Sequence, residues 1–241
     1  KDYTPERVAE ICNIDPDDLR KAAIMYAKAD KAPIMYCLGV TEHSTGTEGV
    51  MSMSNMAMLV GKLGREGCGV NPIRGQNNVQ GACDMGAMPT DFPGYQKVDN
   101  PEVLAKFENA WGIKLNPKPG IKATEVFPAA IKGDIKGLYI FGEDPVVTDA
   151  DTNHIIKALE SLDFLVMNEL FMTETAQYAD VILPGVSYAE KEGTFSNTER
   201  RVQRVRKAVE LEGEMRLDTD IFIDLLNRMG YPQPHLTSAE I

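Results

Sequence analysis

The sequence lacks the usual cysteine and histidine patterns by which a protein holds a metal. Cys12, Cys37, Cys68 and Cys83 form no C-x-x-C pair. That excludes a structural zinc site and an iron–sulfur cluster encoded within these residues. His43, His154 and His235 are far apart and make no H-x-x-x-H pattern, so each is expected to be structural and no metal ligand is expected here. No apolar run approaches the roughly 18–20 residues of a membrane span. The start, Lys1-Asp2-Tyr3-Thr4-Pro5, has neither an apolar signal core nor an initiator Met; the expectation is a fragment or a processed product. Positive charge is also short: 25 basic residues against 36 acidic ones leave a formal charge of −11. A nucleic-acid binder would be basic, so no nucleic-acid partner is expected. Scattered cysteines suggest reduced, mostly packed thiols and a cytoplasmic setting.

What is present describes a folded chain. Its 241 residues, 43% apolar and 25% charged, suffice for one large α/β domain or two smaller lobes. Thr4-Pro5-Glu6 and Asp15-Pro16 read as helix starts with proline at the first helical position. Residues 33–38 form a short apolar run, expected as a buried parallel strand that Gly39 ends. A Met-rich helix is expected from about 47 to 63, with Met51, Met53, Met56 and Met58 in core packing. Helices are also expected over 101–111 and 123–132. Strands 137–141, 164–167 and 180–184 follow, with a helix between the first two capped by Asp149 or Asp151. Strand, helix, strand in one sheet implies a parallel crossover. A helix near 219–229 closes the chain. Glu199 to Lys207 alternates basic and other residues, and reads either as a solvated strand face or as a surface for an anion.

In open α/β sheets ligands bind beyond the carboxyl ends of strands. Three polar clusters fall there: Thr41-Glu42-His43, Glu143-Asp144-Pro145 with Thr148 one turn on, and Asn168-Glu169. The carboxylate of Asp144 could accept two N–H groups of guanine or two ribose hydroxyls; equally, Asp144 could simply form the turn before Pro145. The glycines of 61–69 follow a helix and match neither dinucleotide nor P-loop spacing, which suits a helix terminator. Residues 64–94 keep no period and are rich in Gly, Pro, Asn, Gln and Asp; a loop this long in a compact protein is usually functional or disordered. At its centre, Arg74 stands among amides with Gly75 beside it. A guanidinium there could hold a small carboxylate through two hydrogen bonds, or be a surface charge.

The run Gly69-Val70-Asn71-Pro72-Ile73-Arg74-Gly75-Gln76-Asn77-Asn78-Val79-Gln80-Gly81-Ala82-Cys83-Asp84-Met85-Gly86 closely resembles formate dehydrogenase catalytic subunits, of the dimethyl-sulfoxide-reductase family of molybdopterin oxidoreductases. The likeness continues through Asp91 to Gln96, Tyr139 to Pro145, Phe171 to Ala176, Ala179 to Pro184 and Glu192 to Phe195, nearly the whole chain. The Arg-Gly-Gln-Asn-Asn-Val-Gln-Gly motif is specific, whereas the others mark the wider family.

The resemblance implies Rossmann-like parallel sheets with flanking helices in a multi-domain oxidoreductase, 1–75 ending one α/β lobe and 76–241 forming most of a second. It implies a bis-molybdopterin guanine dinucleotide with molybdenum or tungsten, formate as substrate, and an electron-transfer subunit or domain as partner. Arg74 would lie beside the metal and orient formate, with Gln76 adding a hydrogen bond. Leu38 and Glu42 would flank a pterin; Asp144, Thr148, Asn168 and Asp220 would contact its guanosine end. Near Leu38 the family pattern is like G-x-G-x-T-Q-H, and here one Gly is Cys37 and the Gln is Glu42. The family's cysteine-rich motif for a 4Fe-4S cluster, its metal-ligating Cys or selenocysteine, and its C-terminal pterin-binding domain are not among these residues. The chain alone is therefore expected to be inactive. A nitrate reductase or other family oxidoreductase is one alternative; a non-catalytic pterin- or nucleotide-binding module is another.

Overall fold

The computed structural model describes residues 2–241. The chain divides into two compact units, Lys1–Asn77 and Asn78–Ile241, and both are α/β.

In the first unit, helix α1 (Pro5–Cys12) starts where the Thr4 hydroxyl accepts from the Arg7 backbone N–H at 3.3 Å. Helix α2 (Pro16–Lys28) starts where Asp15 accepts from the Asp17 N–H at 2.7 Å. Each cap satisfies an amide that the helix itself leaves unpaired. Strand β1 (Pro33–Tyr36) then pairs in parallel with β2 (Gly69–Pro72). Between them lie the short helix α3 (Leu38–Thr41) and the longer α4 (Gly46–Leu59). A buried ammonium ties the unit together. Lys62, just past α4, donates to the backbone carbonyls of Ala29 and Asp30 after α2.

The methionines of α4 do not form a core. Met51, Met56 and Met58 are exposed, and α4 buries only Gly46 and Ala57. Met periodicity marks an apolar face, but it does not say that this unit itself covers that face.

The second unit opens with α5 (Val79–Asp84), a small hairpin of β3 (Asp91–Phe92) and β4 (Gln96–Lys97), and α6 (Pro101–Trp111). Phe92 stacks on Phe107 of α6 at 4.5 Å between ring centroids, with Trp111 against both. The main sheet follows. Helix α7 (Ala123–Lys132) leads to β5 (Gly137–Phe141), then α8 (Pro145–Thr148), α9 (Thr152–Glu160), β6 (Phe164–Glu169) and β7 (Val181–Pro184). All three strands are parallel, in the order β5-β6-β7. The α9 cap is Asp151, which accepts from the His154 N–H at 3.1 Å.

Leu165 and Met167 of β6 are buried among Phe127 and Ala130 of α7 and Ile155, Ala158 and Leu159 of α9. Burying each large side chain contributes about 1.5–3 kcal/mol, so this layer anchors the strand ends that follow. A hairpin of β8 (Gly193–Ser196) and β9 (Val202–Val205) comes next. The last helix, α10 (Asp218–Arg228), lays Phe222 against Tyr139 and Phe141 of β5, with centroids 5.8 and 5.4 Å apart. That contact sets the first turn of α10 beside the carboxyl end of β5.

Candidate functional site

At the end of β5 the chain must turn sharply. Gly142 does so at φ 63°, a left-handed conformation that a side chain would strain. Asp144 follows, and its Oδ1 accepts from both the backbone N–H (3.0 Å) and the hydroxyl (2.5 Å) of Thr175. The Thr175 oxygen in turn accepts from the Val146 N–H at 3.1 Å, and Thr175 is fully buried. The carboxylate thus fixes the β5–α8 turn onto the segment after β6. Its Oδ2 has no hydrogen-bond partner among the described residues. The Thr148 hydroxyl donates to the Asp144 carbonyl at 3.1 Å, one turn back along α8. Beside them Glu143, although largely exposed as a residue, has its carboxyl raised above the usual range by partial burial and by the charge of Asp149.

On the neighbouring strand, Asn168 stands opposite Phe141 and is 2% exposed. Its Nδ2 donates to the Leu183 carbonyl at 3.1 Å, and its Oδ1 receives the Tyr139 hydroxyl at 3.4 Å. A cavity of about 170 Å³ opens there, lined by Gly142, Asn168, Glu169, Gly185, Lys191 and Asp218 among others. A Cβ on Gly185 would lie 2.7 Å from Asn168 Nδ2 and 3.3 Å from Asp218 Oδ1. Glycine here keeps a buried amide and a buried carboxylate side by side. Asp218 is paired with Lys191, and the Tyr139 hydroxyl has its pKa raised by burial and then by the Asp218 charge.

The expected residues of this unit therefore separate. Asn168 lines the cavity, while Asp144 and Thr148 sit on the turn after its Gly142 wall. Asp220 is not among the lining residues. It meets His235 Nδ1 at 3.1 Å, and His235 Nε2 meets Asp224 at 3.0 Å. Two carboxylates line the cavity, Glu169 and Asp218; Asp218, Lys191 and Gly185 were not singled out in the sequence.

The first unit has its own strand-end edge. β1 and β2 run parallel, so the residues after Tyr36 and after Pro72 emerge at one edge of the sheet, where the Ile73 N–H still bonds the Tyr36 carbonyl at 2.8 Å. Leu38 and Glu42 follow β1; Arg74 and Gln76 follow β2. All four are exposed. Arg74 makes no ion pair among the described residues, and a Cβ on Gly75 would meet nothing within 4 Å. An unpaired guanidinium beside an open backbone is equipped to bind a small anion.

Among the described residues no group of three His, Cys, Asp or Glu side chains is placed to hold a metal ion. Among the described residues no helix is long and apolar enough to cross a membrane. The four cysteines are free, with Cys12 exposed and the others half-buried.

Comparison with known proteins assigns the family. A family model described as molybdopterin oxidoreductase matches residues 18–228. The F420-dependent formate dehydrogenase subunit alpha of Methanocaldococcus jannaschii is 51% identical over 231 residues, 96% of this chain and 34% of that protein. The F420-dependent formate dehydrogenase 2 subunit alpha of Methanococcus maripaludis is 53% identical over 229 residues, 95% of this chain and 33% of that protein. Formate dehydrogenase H of Escherichia coli is 45% identical over 240 residues, 99% of this chain and 34% of that protein. The chain thus spans about a third of the length of these relatives. Among solved structures, acetylene hydratase from Pelobacter acetylenicus shares the fold with a TM-score of 0.68 and 22% identity, over 95% of this chain and 34% of that one. The match to the family model covers most of the sequence, and the chain belongs to the molybdopterin oxidoreductase family.

Proposed function

We propose that this chain is a central segment of a formate dehydrogenase catalytic subunit, and that Arg74 holds the substrate. The observation that carries the reading is Arg74 itself: exposed, without an ion-pair partner among the described residues, in an amide-rich loop at the carboxyl edge of β1 and β2. Formate is a small monoanion whose C–H bond must be oriented before it breaks. The planar guanidinium matches two carboxylate oxygens and stays charged at any working pH. The amide of Gln76 adds a directional donor two residues on. Holding the anion in one pose is the larger contribution, with charge stabilisation during reaction a second one.

The cofactor of this reading is a bis-molybdopterin guanine dinucleotide with molybdenum or tungsten, which supplies a two-electron acceptor when bound. The strand-end cavity of the second unit suits its guanosine end. Asn168 offers a fixed amide, Asp218 a buried carboxylate, and Gly185 the space between them. Asp144 with its free Oδ2 and Thr148 would stand beside that end, Asp220 is turned instead toward His235, and Leu38 and Glu42 would flank the pterin. Formate as substrate is supported by the names that the relatives carry. Electrons would leave through a 4Fe-4S cluster outside these residues to a partner subunit or domain. The free cysteines suit a reducing, cytoplasmic setting.

Steady-state kinetics of the full-length enzyme tests the reading. Arg74→Lys keeps the charge but loses the fork, and should raise KM and lower kcat at unchanged metal and pterin content. Arg74→Ala should lose roughly 2–5 kcal/mol in kcat/KM if the contact is desolvated. Near-normal formate kinetics in Arg74→Ala at full cofactor loading would place the anion elsewhere.

A further inference from the structure

Just past α10, Gly230 at φ 89° turns the chain back on itself. The segment that follows runs along α10 from its last turn toward its first. The Tyr231 N–H bonds the Leu226 carbonyl at 2.9 Å, and the Gln233 N–H bonds Asn227 Oδ1 at 2.6 Å. His235 then meets Asp224 and Asp220, one turn apart on the helix. The Ser238 hydroxyl donates to the Glu192 carbonyl at 2.8 Å, just before β8. Residues 231–241 thus form a strap from the end of α10 to the foot of the β8–β9 hairpin.

Between that hairpin and α10 lies a cleft of about 710 Å³, with Phe195 and Phe222 among its lining residues. Thr237 and Ser238 line it too, so the strap is one of its walls. Little holds that wall. Beyond Gln233, and among the described residues, the strap is hydrogen-bonded to the rest of the chain only through His235 and Ser238.

One of these ties depends on a proton. His235 Nδ1 lies 3.1 Å from Asp220 Oδ1, and Nε2 lies 3.0 Å from Asp224 Oδ1. Both bonds together need an imidazolium; a neutral ring keeps one N–H and turns a lone pair on the other carboxylate. The charged groups at the ring are these two carboxylates and, on the other oxygen of Asp224, Arg216 at 2.7 Å from the segment before α10. With His235 charged, two cations face two anions; without its proton the cluster is left negative. The carboxylates, Asp220 first, raise the ring's pKa. The tie is therefore complete below the unfolded value near 6.5 and is lost as pH rises through the higher folded value.

We propose that residues 231–241 are a proton-operated strap on this cleft: the His235 imidazolium staples them to α10, Ser238 closes on Glu192, and loss of one ring proton lets the wall swing out. The cleft is walled on this side at lower pH and open at higher pH, whatever it holds.

The test is amide exchange in the full-length enzyme across neutral pH, corrected for intrinsic rates and followed in two places, the strap and residues 191–196 at the foot of the hairpin. In the wild type both should accelerate over the same interval, by about tenfold, equivalent to roughly 1.4 kcal/mol. His235→Arg keeps a cation at every pH and should leave both regions protected throughout. His235→Gln should exchange fast in both regions at every pH. Ser238→Ala should keep the step in the strap and lose it at 191–196. Thermal melts monitor folding of all variants. A wild-type step confined to the strap overturns the proposal, because the staple would then be local and the cleft indifferent to it. A step that persists in His235→Arg or His235→Gln assigns the proton to another group and overturns it as well. A step at 191–196 that survives in Ser238→Ala overturns the closure on Glu192.

Discussion

Gly185→Ala is the sharpest steric test of the strand-end cavity. The backbone of Gly185 does not need a left-handed conformation, since it is absent from the positive-φ glycines. Alanine is therefore allowed by the backbone, and any cost comes from the added methyl. That methyl would sit 2.7 Å from Asn168 Nδ2 and 3.3 Å from Asp218 Oδ1. Ordinary carbon–nitrogen contact begins near 3.4 Å, so something must move by about 0.7 Å. Asn168 cannot move cheaply: it is almost fully buried, and Nδ2 is bonded to the Leu183 carbonyl. Overpacking costs about 1–3 kcal/mol; breaking the amide bond would add about 0.5–1.5 kcal/mol. Reduced unfolded-state entropy returns about 0.4–1 kcal/mol. The net expectation is a destabilisation of about 1–3 kcal/mol, measured by urea denaturation of the chain. Asn168→Ser shortens the side chain that the methyl strikes. The double variant should then show a coupling of about 1 kcal/mol or more, with Gly185→Ala costing little on the serine background. A stable Gly185→Ala, or strictly additive effects, would refute the close approach.

Further outcomes test the turn and the C-terminal segment. Asp144→Ala removes the acceptor of two Thr175 bonds and should lower stability by roughly 2–4 kcal/mol; in the full-length enzyme it should also reduce pterin retention after dialysis, and an unchanged pterin content would leave Asp144 a turn residue alone. His235 bridges Asp220 and Asp224 through both ring nitrogens, an arrangement that needs a proton on each. Its pKa is raised, first by Asp220 and then by Asp224. The bridge's stabilisation is therefore complete below the unfolded value near 6.5 and is lost as pH rises through the higher folded value. Amide exchange of 232–241, corrected for intrinsic rates, should accelerate over that interval in the wild type and show no such step in His235→Gln; a step that persists in the variant would assign it to another group.

How much was legible in the sequence depended on how local the signal was. The caps at Thr4, Asp15 and Asp151 each need only a side chain and an amide two or three residues away, and each forms. The strand 137–141 is an apolar run that begins at Gly137 and is ended by Gly142, and it forms over those residues. By contrast, β2 lies in a stretch with glycine, asparagine and proline, and exists because β1 offers it a parallel partner 36 residues away. No local period announces such a strand. The β8–β9 hairpin turns through Arg200 at φ 59°, a conformation unusual for arginine and unmarked in the sequence. Asp218 and Asp220 were equal in the sequence as carboxylates opening one helix. At about 100° per residue they point in opposed directions, and packing of Phe222 on β5 decides which one reaches the cavity. Arg74 stood out because its amide-rich setting is written in consecutive residues, and its exposure is what the proposed role starts from. The Met face of α4 was legible as apolar, but its exposure was not.

The Thr175 hydroxyl carries a consequence for binding entropy. Its oxygen accepts from Val146 and its proton goes to Asp144, so neither rotor nor carboxylate has an equivalent alternative pose. The turn at the end of β5 is frozen by contacts made wholly within the protein, before any ligand arrives. A ligand docking there orders little that was loose, and its affinity is reduced correspondingly little by immobilising the site. A serine at 175 could preserve this arrangement; a valine would keep the shape but leave the Asp144 carboxylate held by the residue-175 backbone N–H alone.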